Sequence, residues 1–136
     1  MPRIVLTNAF VSVGGVDLSN TVTSVTLNST YDVVETTGFS SSPVKTRISG
    51  LVDNSITLEF QQDYATSQVE QTIYPLLGTA STVIVKPNGS TTGAFNPSYT
   101  CSAIISEWTP INGAVGELAT ASVTWPISGA ITKAVV

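Results

Sequence analysis

Histidine is absent from the 136 residues, cysteine occurs once, and only 10% of side chains are charged. An average soluble domain carries roughly 25%. The missing histidine excludes a Ser-His-Asp triad, a Cys-His pair and any His-ligated metal. One cysteine cannot form an internal disulfide, so there is no disulfide framework. Long apolar runs are also missing. The longest are three residues, as in Ile4-Val5-Leu6, Val83-Ile84-Val85 and Ala103-Ile104-Ile105. A spanning helix needs about 20. Basic charge is scarce as well. Five Lys and Arg against nine Asp and Glu give a net charge of −4. That is the wrong sign for tight nucleic-acid binding, which depends on neutralising phosphates. The start of the chain, Met1-Pro2-Arg3 and then a strand-like run, lacks the apolar core of a signal peptide. The expectation is a protein made in a cytoplasm.

What is present is apolar and hydroxylated. Hydrophobic residues make up 42% of the chain, and mean hydropathy is +0.29. There are 17 Ser and 20 Thr, so the uncharged surface must be built largely of hydroxyls. Val, Ile and Thr, all strand formers, supply 47 residues. The length fits one domain over residues 1–136 and allows a sizeable core.

The pattern is one of strands separated by turns. Arg3–Val13 is apolar and closes at Gly14-Gly15; Val22–Asn28 follows. Residues 29–43 have no clear period and read as a long loop or an extended hairpin. Val44–Leu51 alternates loosely. Ile56, Leu58 and Phe60 alternate cleanly with Thr57, Glu59 and Gln61, as a half-buried strand should. One helix interrupts. Ser67 and Glu70 have capping-box spacing, and Val69, Ile73, Leu76 and Leu77 form one helical stripe. Pro75 and Gly78 end it. Thr82–Lys86, the strand containing Tyr99, Cys101, Ala103 and Ile105, and the strand containing Ala121, Val123, Trp125 and Ile127 complete the set. Pro87-Asn88-Gly89-Ser90 and Asn112-Gly113 mark turns between them. About seven strands and one helix predict a mainly β fold, sandwich or barrel-like, with a short flanking helix.

No reactive constellation emerges. Cys101 sits mid-strand and reads as a core thiol. Asp17, Asp32, Glu35, Asp53, Asp63, Glu107 and Glu117 show no spacing that singles out a catalytic pair, and read as solvated turn formers. There is no calcium loop, phosphate loop or other cofactor motif. Asn28-Ser29-Thr30 and Asn88-Gly89-Ser90 match the glycosylation sequon, as is unsurprising in a chain this rich in Ser and Thr. Trp108 and Trp125 have apolar strand-like surroundings and read as core or interface. An enzyme is the weakest reading. A low-charge, hydroxyl-rich β protein suits packing against other proteins, because interface cores are depleted of charge.

The ordered series Val16-Asp17-Leu18-Ser19, Asp32-Val33-Val34-Glu35-Thr36-Thr37-Gly38, Thr46-Arg47-Ile48-Ser49-Gly50-Leu51 and Ile56-Thr57-Leu58-Glu59-Phe60 carries a resemblance. It continues through Tyr74-Pro75-Leu76-Leu77-Gly78, Val85-Lys86-Pro87-Asn88-Gly89, Trp108-Thr109-Pro110-Ile111, Val115-Gly116-Glu117-Leu118-Ala119-Thr120, Val123-Thr124-Trp125 and Ser128-Gly129-Ala130-Ile131-Thr132. Over nearly the whole chain this resembles the major tail tube proteins of long-tailed bacteriophages.

The resemblance implies a β-sandwich-like domain assembling into stacked rings, commonly hexamers. The rings form a hollow virion tube, built in the bacterial host cytoplasm, that meets other tail proteins and conducts DNA. It implies that an assembly loop over residues 29–47 reaches a neighbour, with Tyr31, Val33, Val34, Phe39, Lys45 and Arg47 at the subunit or ring interface. It also implies an acidic lumen, for which Asp17, Asp32, Glu35, Asp53, Asp63 and Glu117 are the candidates. No cofactor and no membrane span are implied. Two alternatives stay open: a capsid decoration or other minor virion protein, and a carbohydrate-binding β module.

Overall fold

The computed structural model describes residues 3–39 and 43–136; Met1, Pro2 and Ser40–Ser42, the last three inside the expected assembly loop, lie outside the described residues. Two antiparallel sheets pack face to face. The first contains β1 (Phe10–Val13), β2 (Val16–Asp17), β5 (Ala80–Lys86), β6 (Ser98–Ile104) and β8 (Thr132–Ala134), in the order β2-β1-β5-β6-β8. The second contains β3 (Val22–Glu35), β4 (Arg47–Gln61) and β7 (Thr120–Pro126), in the order β3-β4-β7. The result is a mainly β sandwich with one short α-helix. Among the described residues the sheets do not close into a barrel.

Alternation decides what lies between the sheets. Ile56, Leu58 and Phe60 of β4 point inward, as do Ala121, Val123 and Trp125 of β7. They meet Val11, Val13, Val83, Cys101 and Ala103 from the first sheet, all nearly or fully buried. Each large apolar side chain taken fully out of water contributes about 1.5–3 kcal/mol. Phe60 meets Trp108 edge-on at 5.5 Å and 71°, and lies 6.3 Å from Trp125. Trp108 sits in the segment after β6 rather than on a strand, yet it is buried. Its indole N–H donates to the Glu70 carboxylate. The Trp125 indole N–H donates to the Glu107 carbonyl at 2.9 Å. Both tryptophans are therefore interior.

The helix, α1, spans Val69–Ile73, and a 3-10 turn follows over Tyr74–Leu76. Val69 and Ile73 are buried as expected. Leu77 is exposed, because the tighter turn at Pro75 breaks the 3.6-residue stripe before reaching it. The expected capping box does not form. Gln68, not Ser67, occupies the N-cap, and no side chain caps it. Ser67 holds φ +62°, and the Glu70 carboxylate is turned toward Trp108 and Gln62. Gly78 takes φ +88° at the end of this segment, and its N–H donates to the Ile105 carbonyl at 2.7 Å.

Two further expectations shift. Arg3–Val13 forms a strand only from Phe10 onward. The strands expected at Val44–Leu51 and around Ile56–Phe60 are one continuous 15-residue strand, β4.

Candidate assembly surfaces

The two halves of the β3–β4 hairpin have different fates. From Asn54 to Gln61, β4 lies between β3 and β7, and its inward side chains are buried. From Arg47 to Asp53 every residue is exposed, as is every residue of β3 from Asn28 onward. The distal hairpin is a two-stranded arm standing off the body. The segment read as a loop or extended hairpin over 29–43, and the expected assembly loop over 29–47, fall in this arm, with the described residues 36–39 and 43–46 at its tip.

Asn54 marks the point of departure. It is buried, and its side chain ties the arm's base to the segment between β7 and β8. The Ser29 hydroxyl donates to Asn54 Oδ1 at 2.6 Å, and Asn54 Nδ2 donates to the Gly129 carbonyl at 3.0 Å. Its backbone carbonyl accepts from Ile127 N–H at 3.0 Å, where the chain passes from β7 toward the first sheet. The sequence reading missed Asn54. Its only signal is a polar residue at an inward position of an otherwise apolar alternation.

The arm is apolar in an unusual place. Tyr31, Val33, Val34, Phe39, Val44, Ile48, Leu51 and Val52 are all exposed on it, Leu51 at 80%. A register shift between Tyr31 and Val33 puts Asp32 opposite both Gly50 and Leu51. A Cβ on Gly50 would stand 3.2 Å from Asp32 Cβ and 3.3 Å from a Val34 methyl, so the close approach there suits glycine. The pairing places Tyr31, Val33 and Val52 on the face that continues the core side. Val34 and Ile48 take the opposite face. Apolar groups thus lie on both faces of a ribbon with no covering layer. Glu35 pairs in register with Arg47, and its carboxylate meets Lys45 Nζ at 3.7 Å.

The outward face of the three-stranded sheet is different. Register puts Ser24, Thr26, Asn28, Thr30 and Asp32 of β3 beside Glu59, Thr57, Ser55 and Asp53 of β4, and then Thr120, Ser122 and Thr124 of β7. Thr57 and Thr124 share a hydrogen bond at 3.2 Å. Hydroxyls and three carboxylates cover this face up to Val34 and Ile48 at its distal end, and among the described residues no Lys or Arg occupies an outward position of these strands. Of the six acidic candidates, Asp32 and Asp53 share this face. Glu59 joins them, although the sequence reading did not single it out. Glu35 falls on the opposite side of the arm. Asp17 accepts from Ser19 N–H at 2.9 Å in a turn, Asp63 accepts from Ala65 N–H at 2.9 Å, and Glu117 is exposed in the segment before β7. These last three are local turn formers and do not gather with the others. Glu107 is no free turn carboxylate either: it accepts Thr124 N–H at 2.7 Å and covers the open edge of β7.

The edges of the sheets also differ. The first sheet ends in β2 and β8, of two and three residues. The second ends on one side in β3, fourteen residues long and paired only with β4. A long free edge of this kind is a template for further pairing.

Among the described residues no group of three or more His, Cys, Asp or Glu is placed to hold a metal ion. Cys101 is buried, and burial pushes its thiol above the usual range, which suppresses thiolate. Among the described residues no helix is long and apolar enough to cross a membrane.

No protein-family model matches the chain, and no curated protein matches it. Solved structures do. The chain is similar to one in the cryo-EM structure of the anti-feeding prophage baseplate, 6-fold symmetrised, with a TM-score of 0.62 at 8% identity. The likeness covers 99% of this chain and 98% of that one, so it spans the body and the arm together. At that identity it shows a common fold.

Proposed function

We propose that this chain is a structural subunit of a phage tail or tail-like particle, and that copies associate into stacked rings forming a tube. The observation that carries this reading is the arm: a two-stranded ribbon with exposed apolar side chains on both faces. Such a ribbon is marginally stable alone and becomes ordered and dry when other chains cover it. The long free edge of β3 supports the same reading, as does the low surface charge. The fold shared with a chain of a 6-fold prophage baseplate assembly agrees with it.

The hydroxyl and carboxylate face of β3, β4 and β7 supplies the wall of the conduit. DNA gains affinity by releasing counterions when cations replace them at its phosphates. A wall with Asp32, Asp53 and Glu59 and no cation offers no such gain, so DNA slides past without being held. The function is structural, not enzymatic. Both tryptophans are interior, which removes them as stacking platforms for a sugar.

Negative-stain electron microscopy of the purified protein tests the proposal. Rings and tubes of constant diameter are expected. Monomers at all concentrations, or a flat lattice as a capsid decoration protein would form, would overturn it.

A further inference from the structure

We propose that Asn112 is a site of spontaneous covalent modification: deamidation through a cyclic imide, which converts it to aspartate or isoaspartate. The chain holds the Asn-Gly pair twice, at Asn88-Gly89 and Asn112-Gly113. The fold restrains the first and leaves the second able to react.

The reaction needs water as its only co-reactant. The backbone nitrogen of Gly113 attacks Asn112 Cγ and loses its proton to solvent. The Cγ–Nδ2 bond breaks, Nδ2 leaves as ammonia, and the imide ring closes. Water then opens the ring at either carbonyl. One opening restores the normal chain with a side-chain carboxylate; the other routes the chain through Cβ and Cγ. Nothing is oxidised or reduced. Glycine favours the attack, because it has no Cβ to crowd its nitrogen and restricts the backbone least. The asparagine side chain must also swing onto the following nitrogen, so the contacts that hold it decide which site reacts.

Among the described residues no backbone carbonyl accepts the glycine N–H in either pair, so the two nucleophiles start equal. The asparagines do not. Asn88 is locked. Its N–H donates to Asn96 Oδ1 at 3.1 Å, its carbonyl accepts from Asn96 Nδ2 at 3.3 Å, and its own Oδ1 accepts the Ser90 N–H at 2.8 Å. Asn96 is buried, and its Nδ2 also donates to the Ser90 carbonyl at 2.9 Å. Turning Asn88 toward Gly89 breaks into this buried polar network, which is costly. Asn112 has no such frame. It lies between β6 and β7, where residues 110–118 are all exposed and form no strand or helix. Its Nδ2 donates to the Thr120 carbonyl at 3.2 Å, and its carbonyl accepts the Thr120 N–H at 3.3 Å. Both contacts are long, and water replaces these partners when the side chain swings, so little is lost. Either product sets a carboxylate where a donor faced the Thr120 carbonyl, at the start of β7, and adds one negative charge.

The test follows both asparagines in the full chain. Folded protein and guanidinium-unfolded protein are held in the same mildly alkaline buffer. Both are digested when half of the unfolded chain has converted. Mass spectrometry of the peptides bearing Asn88 and Asn112 reads the exchange of NH2 for OH, and enzymatic methylation reads isoaspartate. In the unfolded chain the two sites are expected to convert at similar rates. In the folded protein Asn112 is expected to convert, and Asn88 at least about tenfold more slowly, because Asn88 reacts only from a locally opened loop. Asn96→Ala is expected to bring Asn88 up toward the Asn112 rate and to leave Asn112 unchanged. Should that variant not fold, Ser90→Pro, which removes the N–H held by Asn88 Oδ1, takes its place. Asn88 keeping pace with Asn112 in the folded parent would overturn the proposal. So would an Asn112 that converts only in the unfolded chain.

Discussion

One hairpin contains two kinds of strand. In its proximal half, Ile56, Leu58 and Phe60 lie beside Val25 and Leu27 of β3 on one side and Ala121, Val123 and Trp125 of β7 on the other, and they are fully buried. In its distal half, Ile48, Leu51 and Val52 are as apolar, yet all three are exposed. The chain does not change in hydrophobicity at Asn54; it runs out of neighbours. Apolar residues stabilise a strand through the layer that covers them, and the arm has no such layer in a single copy. That difference points to assembly, where a second chain provides the layer.

The sharpest way to break the comparison is to remove apolar volume from each half. Trp125→Ala in the body is expected to cost about 3–5 kcal/mol, the usual range for truncating a buried aromatic. Leu51→Ala in the arm is expected to stay within about 0.5 kcal/mol for the monomer, as exposed substitutions do. Urea unfolding of both variants at monomeric concentration measures the contrast. Similar losses in both would mean the arm is covered in the single chain.

The next test acts at the border. Asn54→Ala removes the partner of the Ser29 hydroxyl and the donor to the Gly129 carbonyl. It is expected to cost about 1–3 kcal/mol, because two hydrogen bonds of a buried side chain are lost at about 0.5–1.5 kcal/mol each. The loss should appear in the unfolding midpoint of the whole body. An effect confined to the arm would place the border elsewhere.

These halves were not equally legible in the sequence. The body could be read because one face is buried against its own chain. Alternation at Ile56–Phe60 and Ala121–Trp125 therefore carries the period of a half-buried strand. The arm could not, for two physical reasons. The register shift at Asp32 breaks the two-residue period, and both faces of the ribbon are apolar. A segment that completes its packing with another chain need not show a single-chain period, so residues 29–43 read as aperiodic. The carboxylate face was hidden differently. Asp53 and Glu59 lie on one strand, but Asp32 lies on another, in the irregular segment, and joins them only through strand pairing. The helix cap failed because Glu70, expected to cap, is turned instead toward the indole of Trp108, a contact 38 residues away.

The smallest expected effect lies within the arm. Lys45→Ala removes the ion pair with Glu35, in which both side chains are more than half exposed. It is expected to change monomer stability by about 0–1 kcal/mol, and less at high salt. Thermal melts at low and high ionic strength measure it. A larger, salt-insensitive loss would mean the tip is packed rather than free.

The central claim, that the arm is uncovered in one copy and covered in the assembly, is tested most directly by amide hydrogen exchange of monomer and assembled protein. Residues 54–61 should be strongly protected in both states. Residues 29–35 and 47–53 should exchange quickly in the monomer, as a lone ribbon opens easily, and become protected on assembly. Equal exchange of the arm in the two states would contradict the account.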